Sequence, residues 1–348
     1  MKTLYIADVR SMNSNGTSRG HYFPVAENYY NIFKDSCKVY ITGGPVYKNR
    51  FNEIYTLPYD TFENSSIFIN KIKILKNMIE LFKKKSENDI IIIQSSAVAT
   101  ALIGIFLFKH SKCKVYTIQY NTECTNSFTK KIIFKLASYK ISGIICPDKT
   151  IGEAYKRPYC IVPDYIYTGN RTKNTLSFSE RKYDFSLLGL ICKDKGVTEV
   201  AQKLKNTPYQ ILIAGKPQSE EIRKELTEIC KNASNIELKL EYLSDNEYDT
   251  AIKNSKYCIL NYSGAYSEHS SGVVFDIIFR GTPVIGRKCK YLKFISDYKI
   301  GITFDYLDDF NPNELLTPAV HQKFTENIKN YYSVHKEYIL SLKQYLNL

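Results

Sequence analysis

The chain has 348 residues, 44% hydrophobic and 24% charged, with a formal net charge of +13. That length exceeds one ordinary core and suits two domains of roughly 150 residues each, and the composition excludes a disordered chain. The positive balance favours an anionic partner such as nucleic acid, anionic lipid or a phosphorylated substrate, although Lys, Ile, Asn and Tyr abound throughout and part of the charge follows that bias.

Nine cysteines are scattered singly, with no Cys-x-x-Cys pair. This argues against a zinc ribbon or a disulfide framework and for a reducing, cytoplasmic setting. The opening Met-Lys-Thr-Leu-Tyr-Ile-Ala-Asp meets an acid too soon for the apolar stretch of a signal peptide. The most apolar segment, 97–108, falls short of the ~20 residues of a membrane span and reads as a buried helix. A soluble or peripheral protein is expected.

In chain order, the first half alternates strands and helices. A short strand at 4–9 precedes a polar loop, 11–20, and then helical periodicity runs over about 25–33. The next strand, 38–42, ends in Gly43-Gly44-Pro45, and a helix of apolar and basic residues spans 69–84. Ile90–Gln94 reads as a fully buried strand before the helix at 97–108, and strand 114–119, helix 132–139 and strand 143–146 follow. Such alternation marks a parallel sheet covered on both faces.

Between about 162 and 182, Pro163, Gly169, Asn170 and several Ser/Thr break the pattern, as in an interdomain linker. Strands at 185–190, 210–214, 236–240, 257–261 and 283–285 then alternate with helices at 196–205, 219–232, 245–253 and 271–280, before a terminal amphipathic helix at about 319–345. Two doubly wound halves would leave a cleft for a ligand at the carboxyl ends of their strands. No Gly-x-Gly-x-x-Gly and no P-loop motif occurs, so dinucleotide and P-loop sites are not expected.

Three features of the second half fit one ligand. Lys193-Asp-Lys195-Gly196 sits at a strand-to-helix turn, where a lysine and a helix N-terminus neutralise phosphate, although a solvated basic turn has the same composition. Gly215 follows a strand and admits a ligand close to the backbone, or simply turns the chain. Most informative is 262–276, with Glu268, Ser270, Ser271, Gly272 and Asp276, followed by Arg280-Gly-Thr-Pro-Val-Ile285. A glycine-bearing loop that opens a helix turns backbone N–H groups toward an anion, and ionised carboxylates accept the paired hydroxyls of a sugar. A capped helix with incidental acids is the plainer reading.

Glu268, an acid eight positions on, and then Gly-x-Pro-Val-Ile resemble the signature of GT-B fold glycosyltransferases, especially family 4 ("group 1"). The resemblance covers about 184–304 well and the N-terminal half in outline. It implies two Rossmann-like domains facing a cleft, with the C-terminal helix crossing back to the N-terminal domain. The implied bounds are 1–165 for acceptor binding, 182–325 for the sugar nucleotide and 326–348 for the returning helix. By this resemblance Glu268 holds the donor sugar, Asp276 the ribose and Lys195 the diphosphate. Ser270, Ser271, Gly272, Lys193 and Gly215 line the donor, and the base lies near Tyr242 and Leu243.

Departures from the family pattern are visible. Asp276 stands where Glu is usual, Leu190 falls near the family's arginine, and Gln119 or Asn121 must replace a histidine. In similar enzymes the loop after the first strand, here with Gly16, Arg19, Gly20 and His21, meets acceptor and donor phosphate. The resemblance therefore implies transfer from a nucleoside-diphosphate sugar to a lipid-linked or oligosaccharide hydroxyl in surface polysaccharide synthesis, with retention. No metal and no cofactor is expected, and no Asp-x-Asp pair occurs. Two basic amphipathic stretches, 71–85 and 129–135, suit an anionic membrane as well as a solvated surface. Nucleic acid is not an expected partner, since no basic-aromatic recognition module occurs. A sugar-nucleotide epimerase or a non-catalytic binding subunit of the same fold are the rival readings.

Overall fold

Runs of aliphatic and β-branched residues, too short for helices and bounded by turns, form parallel strands in both halves of the chain. The computed structural model describes residues 2–14, 16–18, 22–94, 98–163, 166, 174–268 and 271–348, with the backbone alone at 17, 18, 265 and 268. Two compact units result, Met1–Thr168 with His335–Leu348, and Gly169–Val334.

In the first unit, β1 (Thr3–Ala7), β2 (Met12–Ser14) and β3 (Thr17–Ser18) lead to α1 (Tyr22–Phe33), β4 (Lys38–Gly43), β5 (Ile54–Thr56) and β6 (Thr61–Phe62). Then come α2 (Ile67–Phe82), β7 (Asp89–Ile93), α3 (Ala99–Phe108), β8 (Lys114–Ile118), α4 (Glu123–Asn126) and α5 (Phe128–Ser138), with β9 (Gly143–Cys146), α6 (Lys149–Ala154) and β10 (Tyr159–Ile161) last. Seven of these strands form one parallel sheet in the order β10-β9-β8-β7-β1-β4-β5. β7 runs through its centre, and all five of its residues are buried, which is why it lacks alternation. The predicted loop over 11–20 instead contributes β2 and β3 to a small sheet with β6.

The second unit contains β11 (Tyr183–Leu188), α7 (Val197–Leu204), β12 (Ile211–Ala214), α8 (Glu220–Cys230), β13 (Ile236–Lys239), α9 (Asp245–Lys253) and β14 (Ser255–Leu260). It continues through α10 (Gly272–Phe279), β15 (Val284–Arg287), α11 (Lys293–Asp297), β16 (Gly301–Phe304), α12 (Pro312–Leu315) and most of α13 (Pro318–Leu346). Its parallel sheet has the order β13-β12-β11-β14-β15-β16. Ser219 caps α8, its hydroxyl accepting from Ile222 N at 3.3 Å, and Ser244 with Glu247 forms a capping box on α9.

α13 begins in the second unit and crosses back, so that residues 335–348 complete the first. There Leu342 and Leu346 are fully buried in the core formed by α1 and one face of the sheet. All nine cysteines are free, and seven are buried as small core residues. Among the described residues, no helix is long and apolar enough to cross a membrane.

Candidate functional site

The order of strands in the second unit locates a crevice. From β11 the chain moves to β12 and β13 on one side, then returns to β14 on the other. At such a switch point the loops leaving the two central strands diverge, and a ligand fits outside their carboxyl ends. Gly189 ends β11 with φ +91°, and its N–H donates to the Ala214 carbonyl at 3.0 Å. Gly215 ends β12 with its backbone against that of Gly189. A Cβ at 215 would lie 1.8 Å from the Gly189 carbonyl oxygen, so glycine is required there by close approach.

The loop after β11 makes one 3-10 turn, Lys193–Lys195, before Gly196 opens α7. This turn drives Lys195 inward to 6% exposure. Its Nζ lies 5.1 Å and 5.8 Å from the ring centroids of Tyr266 and Tyr262, and 3.7 Å from where a Cβ on Gly189 would sit. Among the described side chains no carboxylate pairs with it, and burial pulls its pKa below the usual lysine value. A desolvated, uncompensated cation is unfavourable until an anion arrives. Lys193 is exposed on the same turn.

The loop after β14 is latched to that turn. Ser263 N donates to the Asp194 carbonyl at 2.7 Å, while Asn261 Nδ2 donates to Glu199 Oε2 at 2.9 Å and to the Gly196 carbonyl at 3.3 Å. The buried Tyr262 hydroxyl and Ser271 Oγ share a hydrogen bond of 2.8 Å. Ser271 is the N-cap residue of α10, yet its side chain makes no cap bond. With its hydroxyl taken by Tyr262, Ser271 leaves the first-turn amides of α10 uncapped by its side chain, and helix-start amides of this kind bind anions. Val273, in that first turn, comes within 3.3 Å of the Cβ position on Gly189. Gly189, Lys195, Tyr262, Ser271 and the start of α10 therefore converge.

Asp276 lies one turn further along α10. Its carboxylate is 3.5 Å from Arg280 Nη1, and that same nitrogen donates to the Asp276 carbonyl at 2.8 Å. Arg280 Nε donates to Asp249 Oδ1 at 2.6 Å, which anchors α10 to α9. The Tyr248 hydroxyl is buried beside this cluster with no partner among the described residues. Burial, then the Asp276 charge, push its pKa well above the usual tyrosine value. On the other flank a cavity of about 410 Å³ runs beneath α9, lined by Ala214, Leu212, Leu243, Asn246 and Thr250. Leu243 thus faces a cavity, whereas Tyr242 is 82% exposed.

Of the remaining expected residues, Glu268 ends a 3-10 turn at 264–268 on the same loop. Ser270, Arg19, Gly20 and His21 lie outside the described residues. In the first unit Gln119 is fully buried, accepting from the Tyr155 hydroxyl at 3.1 Å, while its Nε2 has no partner among the described residues. Asn121 is exposed and accepts from Glu123 N at 2.9 Å, a turn-forming contact. Gly16 N donates to Asn13 Oδ1 at 3.0 Å, and its carbonyl accepts from Asn49. Sequence reasoning misses Gln94, buried at the end of β7 with neither amide atom bonded to a described residue. It also leaves Tyr262, Tyr266 and Arg280 without roles, although all three stand beside the residues it singles out.

No family model matches the sequence, and no curated protein matches it. Solved structures do match in fold. A glycosyltransferase from Rickettsia africae superposes with a TM-score of 0.65 at 15% identity, covering 99% of this chain and 97% of that one. Anabaena HepE, solved with UDP and glucose, gives 0.61 at 10% identity, covering 99% and 97%. TarM gives 0.58 at 18% identity over 79% of this chain, a match that spans 58% of the TarM chain. The fold is the two-domain GT-B arrangement of Rossmann-like units.

Proposed function

We propose that the chain is a glycosyltransferase that moves a sugar from a nucleoside-diphosphate sugar to a hydroxyl acceptor. The observation that carries this reading is Lys195, a buried ammonium without an ion-pair partner among the described residues, set at the switch point beside Gly189 and Gly215. As the bond from the sugar to the diphosphate breaks, positive charge develops on the ring and negative charge on the leaving group. Lys195 and the open N–H groups at the start of α10 stabilise the leaving charge, and preorganised groups of this kind usually contribute more to lowering the barrier than any other effect. These groups make a divalent ion unnecessary, so the proposed reaction is metal-independent.

Within the proposal Asp276 accepts from the ribose hydroxyls, with Arg280 holding its carboxylate in place. Glu268 contacts the donor sugar, and the base enters the cavity beside Leu243. Gln94 and Gln119, whose buried amides retain unused donors among the described residues, suit hydroxyls of the acceptor. A lipid-linked or oligosaccharide acceptor at a cytoplasmic membrane surface, in surface polysaccharide synthesis and with retention, completes the reading. The binding of UDP and glucose by Anabaena HepE supports a nucleotide-sugar donor here.

Two observations favour a non-catalytic binding subunit instead. The Gln119 amide oxygen is engaged by the Tyr155 hydroxyl, and Leu190 is a half-exposed apolar residue where the resembled family places an arginine. Incubating the protein with a panel of sugar nucleotides separates the two readings. Acceptor-dependent release of nucleoside diphosphate is expected. Glu268→Ala should abolish that release with nucleoside-diphosphate binding retained, whereas Asp276→Ala should weaken the binding itself. Tight binding with no release under any acceptor would favour the subunit reading, and normal turnover by both variants would remove the site assignment.

A further inference from the structure

The faces of α2, α3 and α5 directed away from the first unit's sheet carry large apolar side chains that its core does not use. On α2, Ile74, Met78, Leu81 and Phe82 are buried, while Phe68, Ile72 and Ile79 are exposed. The 3.6-residue period groups these exposed residues in one stripe on the flank of the buried face, about a third of a turn around the helix from it. α5 repeats the arrangement. Phe134 and Ala137 are buried, while Phe128, Ile132, Leu136 and Tyr139 follow one another at spacings of four, four and three, and Phe128 is 80% exposed.

α3 bridges the two stripes. Its Gly104 backs directly onto Met78 of α2, where a Cβ would come 2.5 Å from Met78 Cγ. Its Phe106 carbonyl accepts from Lys140, just past α5, at 2.6 Å. α3 itself adds the exposed Phe106 and Leu107. Single exposed apolar residues are ordinary on any surface, but stripes joined across three neighbouring helices form a patch that needs an occupant.

Charge identifies the occupant. The spans 67–82, 99–108 and 128–138 hold six lysines and a single acid, Glu80. Lys71, Lys131 and Lys135, and Lys84 just beyond α2, are exposed and make no ion pair among the described residues. A second copy of the chain would bring like charges together on this face. We infer that this three-helix face docks the protein on an anionic lipid bilayer, its apolar side chains entering the headgroup boundary and its lysines meeting the lipid charge. The inference deepens the reading of a membrane-borne acceptor and rests on it for its purpose. The binding itself is measured without donor or acceptor, so its failure leaves the donor chemistry standing.

The test is co-sedimentation of the full chain with vesicles of phosphatidylglycerol and, separately, of phosphatidylcholine. The wild type should sediment with the first and not with the second. Lys131→Glu with Lys135→Glu should lower the partition coefficient about 25-fold or more, since each lysine near such a surface contributes about fivefold. Lys224→Glu on α8 of the other unit, with Lys231→Glu just past that helix, should leave it unchanged. Phe68→Ser, Ile72→Ser, Phe128→Ser and Ile132→Ser together should lower it at least about tenfold. All variants should melt as the wild type does, because the altered side chains lie outside the core. Equal loss from both lysine pairs, undiminished binding by the serine variant, or no binding by the wild type each overturns the proposal. So does a wild-type dimer that the serine variant dissociates and vesicles do not, because the patch would then be a contact between copies.

Discussion

In its proposed role Lys195 serves binding at the expense of stability. Its pKa is lowered by burial, so at every pH below the ordinary lysine value the unfolded chain holds the proton more readily than the folded one. That difference destabilises the folded state at neutral pH and vanishes once both forms are neutral at high pH. Lys195→Met should therefore raise the melting temperature while weakening nucleoside-diphosphate binding by ~1.5–3 kcal/mol, about 10- to 150-fold. Thermal melts and titration calorimetry check both halves, and a variant that loses stability as well as affinity would show that the lysine is a structural element. Because the folded state also gives up the proton first as pH rises, anion affinity should fall at a lower pH than the 10.5 at which an ordinary lysine titrates.

Among the elements, α13 carries the clearest pH dependence. His321 lies in the second unit and His335 in the first, and burial pushes both imidazoles down to about 4. Folded-state values below that of the unfolded chain mean that stability is complete above about pH 6.5 and lost as pH falls toward 4, by on the order of 3 kcal/mol for each. His321→Gln and His335→Gln should each flatten the fall of Tm across that window. An unchanged slope in both variants would place the acid sensitivity elsewhere. The elements also differ in how plainly the sequence announces them. β7, with four consecutive buried isoleucines, is found where expected, whereas β5, β10 and β16 have three or four residues and leave no pattern. The spacing from Glu268 to Asp276 is visible because both residues lie on one loop and helix. The Tyr262–Ser271 bond, the Arg280–Asp249 pair and the burial of Lys195 depend on which loops the sheet order brings together, and local spacing does not encode that. Likewise, periodicity reveals that α2 and α5 are amphipathic but not that each carries a second apolar stripe facing outward.

At the scale of the whole molecule, the two units differ in how the chain builds them. The second is one continuous stretch, Gly169–Val334, while the first requires His335–Leu348 in addition to its first 168 residues. In that returning segment the Tyr345 hydroxyl accepts from Ile144 N at 3.1 Å and donates to the Pro158 carbonyl at 2.7 Å, and Leu342 is fully buried. Leu342→Ala should destabilise the first unit by ~2–5 kcal/mol and leave the second near its wild-type stability. Hydrogen exchange, reporting on the amides of each unit separately, tests this, and equal loss in both would contradict it.

The same return of α13 has a consequence for synthesis. Domains commonly finish folding in the order in which they leave the ribosome. Here the N-terminal unit emerges first but waits for its last fourteen residues, 335–348, until the whole of the second unit has been translated. During that interval the wall of β8 and β9 that Tyr345 covers, and the apolar surface that Leu342 and Leu346 fill, stand open. The nascent chain is thus most vulnerable to aggregation, and most in need of a chaperone, in the half that was made first.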